Sequence, residues 1–287
     1  MLFFINILRK FELKTLYKLA DILGIIAFYV IKDRRKVAIK NCEVIGVRPN
    51  NFFLKRNFQN IFRSFFELLY LDKIDAEFIV NNVIIEDEKN LYNKIGKYNS
   101  LLVVSAHIGS WEFGPVFVKK IFKKKIAIIG RRIKNKKIDS FVKKQRGSQG
   151  IEYFTHRDVA LKVSKLLDDD YYIGSLLDHG AMEKDSIYVD FFGLKTTFIA
   201  GIPLIAIRKK IPILPIFVIR ENGYYKMIHY DLIFPEKKGD LKVRLNSMAR
   251  KINMVYEDVI KKHPDQWYLI HKRFKRVKKD EETYSIY

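Results

Sequence analysis

The chain has 287 residues, 48% of them hydrophobic and 14% aromatic, which is the composition of a globular protein with a substantial core. Its 54 lysines and arginines against 32 aspartates and glutamates give a formal net charge of +22. This charge favours an acidic partner such as anionic lipid, an acidic carrier protein or nucleic acid, while the single Cys42 excludes an internal disulfide.

The first 35 residues predict a helical segment that associates with a membrane. The stretches "MLFFINIL" and "LADILGIIAFYVI" are apolar and aromatic, and the basic sequence "KDRRK" follows the second. The longest uncharged run extends only from Ile22 to Ile31, well short of the roughly 20 residues that cross a bilayer as a helix. We therefore expect a helix at the membrane surface with "KDRRK" at the cytoplasmic headgroups; an ordinary buried helix is the alternative.

The remainder of the chain predicts an α/β fold. Apolar residues between positions 49 and 74 recur at three- and four-residue steps, which indicates an amphipathic helix. From about residue 99, short β-rich runs alternate with segments of helical pattern at 110–121, 136–146, 156–167 and 198–210. This alternation predicts a largely parallel central sheet flanked by helices, with a later, antiparallel strand in "YYKMIHYDLIF" and a closing helix at 240–262. Since no linker is visible, we expect one α/β domain over residues 36–287 behind the N-terminal segment 1–35.

The stretch "SAHIGSWEFGP" carries the first candidate catalytic residues. His107 directly follows the predicted strand "SLLVVSA", and Glu112 comes five residues later. If His107 lies in a turn and Glu112 in the first helical turn, the carboxylate can fix one imidazole nitrogen and leave the other to accept a proton from a hydroxyl. Such a pair suits acyl transfer to an alcohol without a covalent enzyme intermediate, although a histidine and a glutamate at this spacing also occur by chance.

Several blocks in order resemble the bacterial lipid A late acyltransferase family, of the Kdo-dependent lauroyl or myristoyl type, which belongs to the H-x4-D/E glycerolipid acyltransferases. The resemblance covers about residues 36–276, and Leu269 and Lys272 replace the usual tryptophan and arginine of the last block. The blocks are "VAIKNCEVI", "FLKRNFQNIFRSFFELL", "AHIGSWE", "GRRIKNKKIDSFVKKQR", "LLDHG", "VDFFGLKTTFIAG" and "PDQWYLIHKRFK".

This resemblance implies a role for each matching residue. His107 is then the general base and Glu112 its orienting partner. Arg131 and Arg146 bind phosphates of the acceptor or of the donor, unless they form surface salt bridges. Asp178 bonds a substrate hydroxyl or an active-site arginine, unless it is a capping residue. No metal or cofactor is expected, because the thioester donor supplies the driving force.

Three further expectations concern the histidines and the C-terminal block. The side chain of His179, beside Asp178, is expected to point away from the site. His271, Arg273 and Lys275 either meet a lipid headgroup or stabilise the C-terminal end of the chain. His156, His229 and His263 match no motif and are expected to be ordinary surface or turn residues.

The predicted activity is transfer of a fatty acyl chain to a hydroxyl of a lipid A-type saccharide lipid precursor, at the cytoplasmic face of the inner membrane. The expected donor is an acyl-thioester of acyl carrier protein, with coenzyme A as the open alternative, and an apolar cleft near "FFELL" and "FFG" is expected to take the chain. The alternative is a phosphatidylinositol mannoside or other glycolipid acyltransferase that uses acyl-CoA. Two remoter alternatives are an inactive membrane scaffold and a basic nucleic-acid-binding protein, although no nucleic-acid-reading module is recognisable.

Overall fold

Helices form the N-terminal part of the protein in a computed structural model, which describes residues 2–155, 159–280 and 282–287. They are α1 (Leu2–Leu8), α2 (Leu13–Val30), α3 (Lys32–Val44) and α4 (Asn51–Glu67). The side chain of Asn50 accepts a hydrogen bond from the backbone N–H of Phe53, which caps the start of α4. After a short 3₁₀ turn (Leu71–Lys73), α5 (Ala76–Asn82) leads into the sheet.

A seven-stranded sheet forms the centre of the fold. Its strands are β1 (Val83–Ile85), β2 (Leu101–Ser105), β3 (Lys125–Gly130), β4 (Glu152–Thr155), β5 (Tyr171–Leu176), β8 (Ile213–Glu221) and β9 (Tyr224–His229). Their order is β1-β9-β8-β2-β5-β3-β4, and every neighbouring pair is parallel except β8 with β9. The central strand β2 is buried on both faces, as its uninterrupted apolar sequence requires.

Helices cover both faces of this sheet, and a second sheet lies beside it. The helices are α6 (Glu88–Gly96), α7 (Gly114–Phe122), α8 (Lys136–Gly147), α9 (Val159–Asp168), α10 (Gly201–Lys209) and α11 (Leu241–Lys262). The second sheet is antiparallel, with the order β11-β10-β7-β6, and contains β6 (Ser186–Phe191), β7 (Leu194–Ile199), β10 (Val277–Lys279) and β11 (Glu282–Tyr284).

The prediction of an α/β protein with a largely parallel central sheet flanked by helices is confirmed, as are the antiparallel strand at 224–229 and the closing helix. The antiparallel sheet was not predicted. The turn Phe192–Gly193, in which both residues have positive φ, makes a hairpin of "SIYVDF" and "LKTTFI", so part of the helix predicted from residue 198 is strand. The predicted start of the preceding helix, including His156, lies outside the described residues.

The helix α2 packs closely against α4. Leu16, Ala20 and Phe28 are buried on this side of α2, and a Cβ atom at Gly24 would lie 2.7 Å from the backbone Cα of Gln59. The glycine therefore lets the two helix backbones approach each other. The division between residues 1–35 and 36–287 stays a prediction, and α2 packs on α4 across it.

We expect Gly24→Ala to destabilise the protein by about 1–3 kcal/mol, because the added methyl group meets backbone rather than a movable side chain. Denaturant unfolding measures the change. Gly96→Ala is the matched control, since no atom lies within 4 Å of a Cβ there. Equal stabilities of the two variants would contradict this account of the helix contact.

Candidate active site

His107 and Asp178 meet because two neighbouring parallel strands end side by side. Ser105 at the end of β2 is in register with Leu176 at the end of β5, and each of the two side chains comes two residues further along its strand. The Nδ1 atom of His107 lies 2.8 Å from Oδ1 of Asp178. Functional groups of α/β sheets gather at this carboxyl edge.

Asp178 is only 1% exposed, and it also accepts a hydrogen bond from the indole N–H of Trp267 at 3.0 Å. Burial alone would raise the pKa of Asp178, but the neighbouring His107 and His179 and the two hydrogen bonds hold that pKa well below its usual range. An ionised carboxylate only accepts hydrogen bonds, so Nδ1 of His107 is the donor in this bond, and in the neutral tautomer of the ring Nε2 is the acceptor nitrogen. Asp178 was expected to bond a substrate hydroxyl or an active-site arginine, or to be a capping residue. In the structure its carboxylate is bonded to the imidazole of His107.

Three imidazole rings are stacked at this edge. The rings of His107 and His179 are 3.8 Å apart with an angle of 5° between their planes, and His179 and His271 are 3.9 Å apart at 15°. The expectation that His179 points away is wrong, because its ring lies flat on His107. His271 contacts this stack, while Arg273 next to it is 1% exposed and therefore cannot meet a lipid headgroup. Lys275 is exposed.

The loop that carries His107 is fixed by backbone contacts. Gly109 has φ +58°, and a Cβ atom at this position would lie 2.0 Å from the carbonyl oxygen of Val218, so only glycine fits. Its N–H donates to the Gln266 carbonyl at 3.1 Å, and its carbonyl accepts from the Ser64 hydroxyl at 2.7 Å. The backbone on both sides of Gly109 is therefore held by the rest of the fold.

A buried ion pair lies beneath this loop. Glu67 at the end of α4 is fully buried, and one of its carboxylate oxygens accepts hydrogen bonds at 2.7 Å from Arg220 and from the hydroxyl of Ser110. Burial raises the pKa of Glu67, whereas the charge of Arg220 lowers it, so each partner reduces the cost of burying the other. Ser110 is thus held here through its side chain.

Three asparagines connect the N-terminal helices to the loop before His271. The amide of Asn41 on α3 donates to the carbonyls of Leu269 (2.6 Å) and His271 (2.7 Å). On α4, Asn57 donates to the carbonyls of Asp265 and Trp267, and Asn60 to that of Asp265. Because these amides and carbonyls satisfy one another, segments more than 200 residues apart in sequence form one unit at the site.

Glu112 does not orient His107. It lies in the turn before α7, where its carboxylate forms a two-fold ion pair with Arg146, at 2.9 Å to Nε and 2.6 Å to Nη2. The third donor group of Arg146, Nη1, points to the hydroxyl of Tyr153 at 3.3 Å. The predicted contact between His107 and Glu112 is therefore corrected, because Asp178 takes the imidazole nitrogen and Arg146 takes the glutamate.

The same pairing changes the expectation for the arginines. Burial alone would lower the pKa of Arg146, but the Glu112 carboxylate raises that pKa by more than burial lowers it. The guanidinium therefore stays charged, and two of its nitrogens are bonded to the carboxylate. It is therefore not free to bind a phosphate as expected. Arg131, the other predicted phosphate ligand, follows β3 and is exposed, and its role stays a prediction.

Aromatic side chains surround the exposed side of His107. The rings of Trp111 and Tyr268 lie 5.6 Å and 6.0 Å from its ring, and Phe65 contacts both in edge-to-face geometry. Phe65 is 47% exposed, so the "FFELL" block reaches this surface as expected, whereas Phe191 of "FFG" is buried in the core. An apolar surface thus borders His107, whose side chain is 24% accessible.

Among the residues that the structure describes, one group of side chains has ligand atoms close enough to hold a metal ion, namely His107, Asp178 and His179, within 4.8 Å of one another. The imidazole lone pair lies in the ring plane, and the two planes are nearly parallel. An ion in the plane of one ring therefore lies well outside the plane of the other, and the ligand directions do not converge.

The sequence model described as bacterial lipid A biosynthesis acyltransferase matches residues 1–276. The chain belongs to this family. It is therefore an acyltransferase enzyme whose acceptor is of the lipid A type. A search among curated proteins found no significant match.

Sequence reasoning missed the polar residues that hold the lipid A acyltransferase site together. Asn57, Asn60, Ser64 and Glu67 recur at three- and four-residue steps along α4, and all four are buried. A polar stripe on the inward face of an amphipathic helix indicates hydrogen-bond partners in the core. That signal was present in the sequence, but the partners were not readable from it.

We expect Glu112→Gln to destabilise the enzyme by about 3 kcal/mol, because it leaves the half-buried Arg146 without its counter-charge. The double variant Glu112→Gln with Arg146→Met recovers most of this loss in denaturant unfolding. Lys143→Gln, which removes the more exposed pair with Asp139, is the control and costs less than about 1 kcal/mol. A double variant as unstable as the single one would refute the pairing.

Proposed function

We propose that this lipid A acyltransferase uses His107 as its general base and Asp178 as the residue that orients it. The observation that carries the proposal is the hydrogen bond from Nδ1 of His107 to the buried carboxylate. This bond leaves Nε2 as the nitrogen that can accept a proton, on the side bordered by Trp111 and Tyr268.

The reaction then proceeds without a covalent enzyme intermediate. Nε2 of His107 takes the proton of the acceptor hydroxyl as its oxygen attacks the thioester carbonyl. When the tetrahedral intermediate collapses, the carbon–sulfur bond breaks, and the leaving thiolate takes the proton back from Nε2. The products are an ester and a thiol, and Asp178 stabilises the imidazolium that exists between the two proton transfers.

Glu112 and Arg146 act on the base indirectly in this proposal. Nε1 of Trp111 donates to the Glu112 carboxylate at 3.3 Å, and the indole ring lies beside His107. The ion pair therefore fixes an aromatic wall of the site. Glu112 is a positioning residue and not a partner of the imidazole.

The acyl donor is acyl carrier protein in this proposal, with coenzyme A as the alternative thioester. The net charge of +22 supports an acidic protein partner, and exposed basic residues continue from Arg131 along α8. The conversion of acyl carrier protein-bound and coenzyme A-bound myristate by the same preparation distinguishes the two donors.

We also propose that α2 rests on the cytoplasmic face of the inner membrane. No helix in the described ranges is long and apolar enough to cross a bilayer. The second half of α2 nevertheless exposes a continuous apolar face made of Ile22, Leu23, Ile25, Ile26, Tyr29 and Val30. Basic side chains of Arg35 and Lys55 lie against the aromatic residues beside it, an arrangement that fits anionic headgroups.

We expect His107→Ala and Asp178→Asn each to lower the rate of acyl transfer by at least about 100-fold, since one removes the base and the other its fixed tautomer. The assay measures transfer of a radiolabelled acyl chain to a lipid A precursor in detergent micelles. Glu112→Gln lowers the rate less than Asp178→Asn. His229→Ala, on β9 and two strands away from β2, is the control and keeps wild-type turnover. Near-normal activity of His107→Ala would reject the mechanism.

For the membrane proposal, we expect Ile26→Asp with Val30→Asp to lower binding to vesicles of phosphatidylethanolamine and phosphatidylglycerol by about tenfold or more, because charged side chains resist burial among acyl chains. Both positions are exposed, so the fold stays intact. Val80→Asp, at an 81% exposed position on α5, is the matched control in the same sedimentation assay. Unchanged binding of the double variant would place the contact elsewhere.

A further inference from the structure

The middle ring of the histidine stack has no partner in the mechanism above. His179 lies between His107 and His271, with both neighbouring rings within 4 Å and within 15° of parallel. Its Nε2 atom is buried and, among the described residues, has no hydrogen-bond partner. Stacking against the two neighbouring rings, rather than a hydrogen bond at Nε2, therefore sets the position of the His179 ring.

We propose that His179 is a positioning residue, whose neutral ring fixes the plane of His107 and faces the imidazolium that forms there during acyl transfer. This inference rests on the proposed role of His107 as the base. It concerns the orientation and stabilisation of that base, and His179 itself exchanges no proton with a substrate.

The backbone next to His179 is closely packed against Arg273 and Thr197. A Cβ atom at Gly180 would lie 3.1 Å from the carbonyl oxygen of Arg273 and 3.4 Å from the hydroxyl of Thr197. The N–H of Ala181 donates to that same hydroxyl at 3.2 Å. Together with the buried Asp178 on the other side, these contacts leave the ring little freedom to rotate away from His107.

Burial is the main reason that the middle ring stays neutral; neighbouring positive charges add to this effect, and Asp178 opposes it. The groups that face it are His107, Asp178, His271 and Arg273, and the guanidinium of Arg273 is buried, with Nε and Nη2 unpartnered among the described residues. Burial lowers the pKa of Arg273 to about 10, so it remains a cation at neutral pH. A second positive charge beside it is therefore unfavourable.

Burial and nearby positive charges lower the pKa values of both His179 and its outer neighbour His271. Burial, together with the charges of His107 and Arg273, holds the pKa of His179 well below its usual range. Burial likewise lowers the pKa of His271 to about 4, with Arg34 and Arg273 adding to the effect and Asp178 opposing it. Protonation of either ring is thus suppressed at neutral pH.

A neutral imidazole face stabilises an adjacent cation, as aromatic faces do for guanidinium and ammonium groups. The imidazolium of His107 therefore has two stabilising neighbours: the Asp178 carboxylate in its plane and the π face of His179 above it. The Asp178 carboxylate sets the tautomer of His107, and the His179 ring sets the tilt of the His107 ring toward the acceptor hydroxyl.

The test compares His179→Phe, which keeps a flat ring, with His179→Leu, which does not. We expect His179→Leu to lower kcat by about 10- to 100-fold with KM for the lipid A precursor and the acyl donor unchanged, because a misdirected base costs rate rather than binding. His179→Phe keeps kcat within about threefold of wild type. Loss of activity in both variants, or in neither, would overturn the proposal.

A measurement on the wild-type enzyme covers the case in which His179→Leu does not fold. In ¹⁵N-histidine NMR, we expect the His179 ring to remain neutral from pH 8 to pH 5, and titration of that ring in this range would overturn the proposal. The proposed function has its own test: full activity of His107→Ala would reject it, whatever the His179 variants do. Inactive His107→Ala together with fully active His179→Leu rejects only the role of the stack.

Discussion

The hydrogen bond between His107 and Asp178 depends on the parallel pairing of β2 with β5. Both side chains lie two residues beyond a registered pair at the ends of these strands, so the sheet itself sets their separation. A shift of one residue in the pairing would move the carboxylate to the other face of the sheet and leave His107 without this hydrogen bond. The strand register thus sets the distance between His107 and Asp178, and the loops only refine it.

Buried polar groups beneath the site hold the segments that carry His107 and His271 in place. The pair of Glu67 with Arg220 lies under the His107 loop, and three asparagines hold the segment that presents His271. Such groups are costly to bury unless each finds its partners, and here most of them are bonded to backbone carbonyls or to each other. Their arrangement favours one conformation of the loop over other packed alternatives.

Much of the fold was predictable from the sequence, because alternating strand and helix patterns determine a parallel sheet. The hairpin of β6 and β7 was missed, since "DFFGLK" reads as apolar sequence and the turn depends on positive φ at Phe192 and Gly193. In the site, His107 and Asp178 were both singled out from the sequence, but the hydrogen bond between them was not predicted. Local spacing favoured Glu112, whereas the partner that lies nearby in space is 71 positions away in sequence.

The asparagine contacts also have a consequence for how the protein is made. The amides of Asn41, Asn57 and Asn60 bond to carbonyls of residues 265–271, which leave the ribosome long after the helices that carry these amides. Until then the early helices have polar groups without partners, and the third imidazole of the stack has not been synthesised. A nascent chain therefore completes this edge of the sheet only after residues 265–271 have been synthesised.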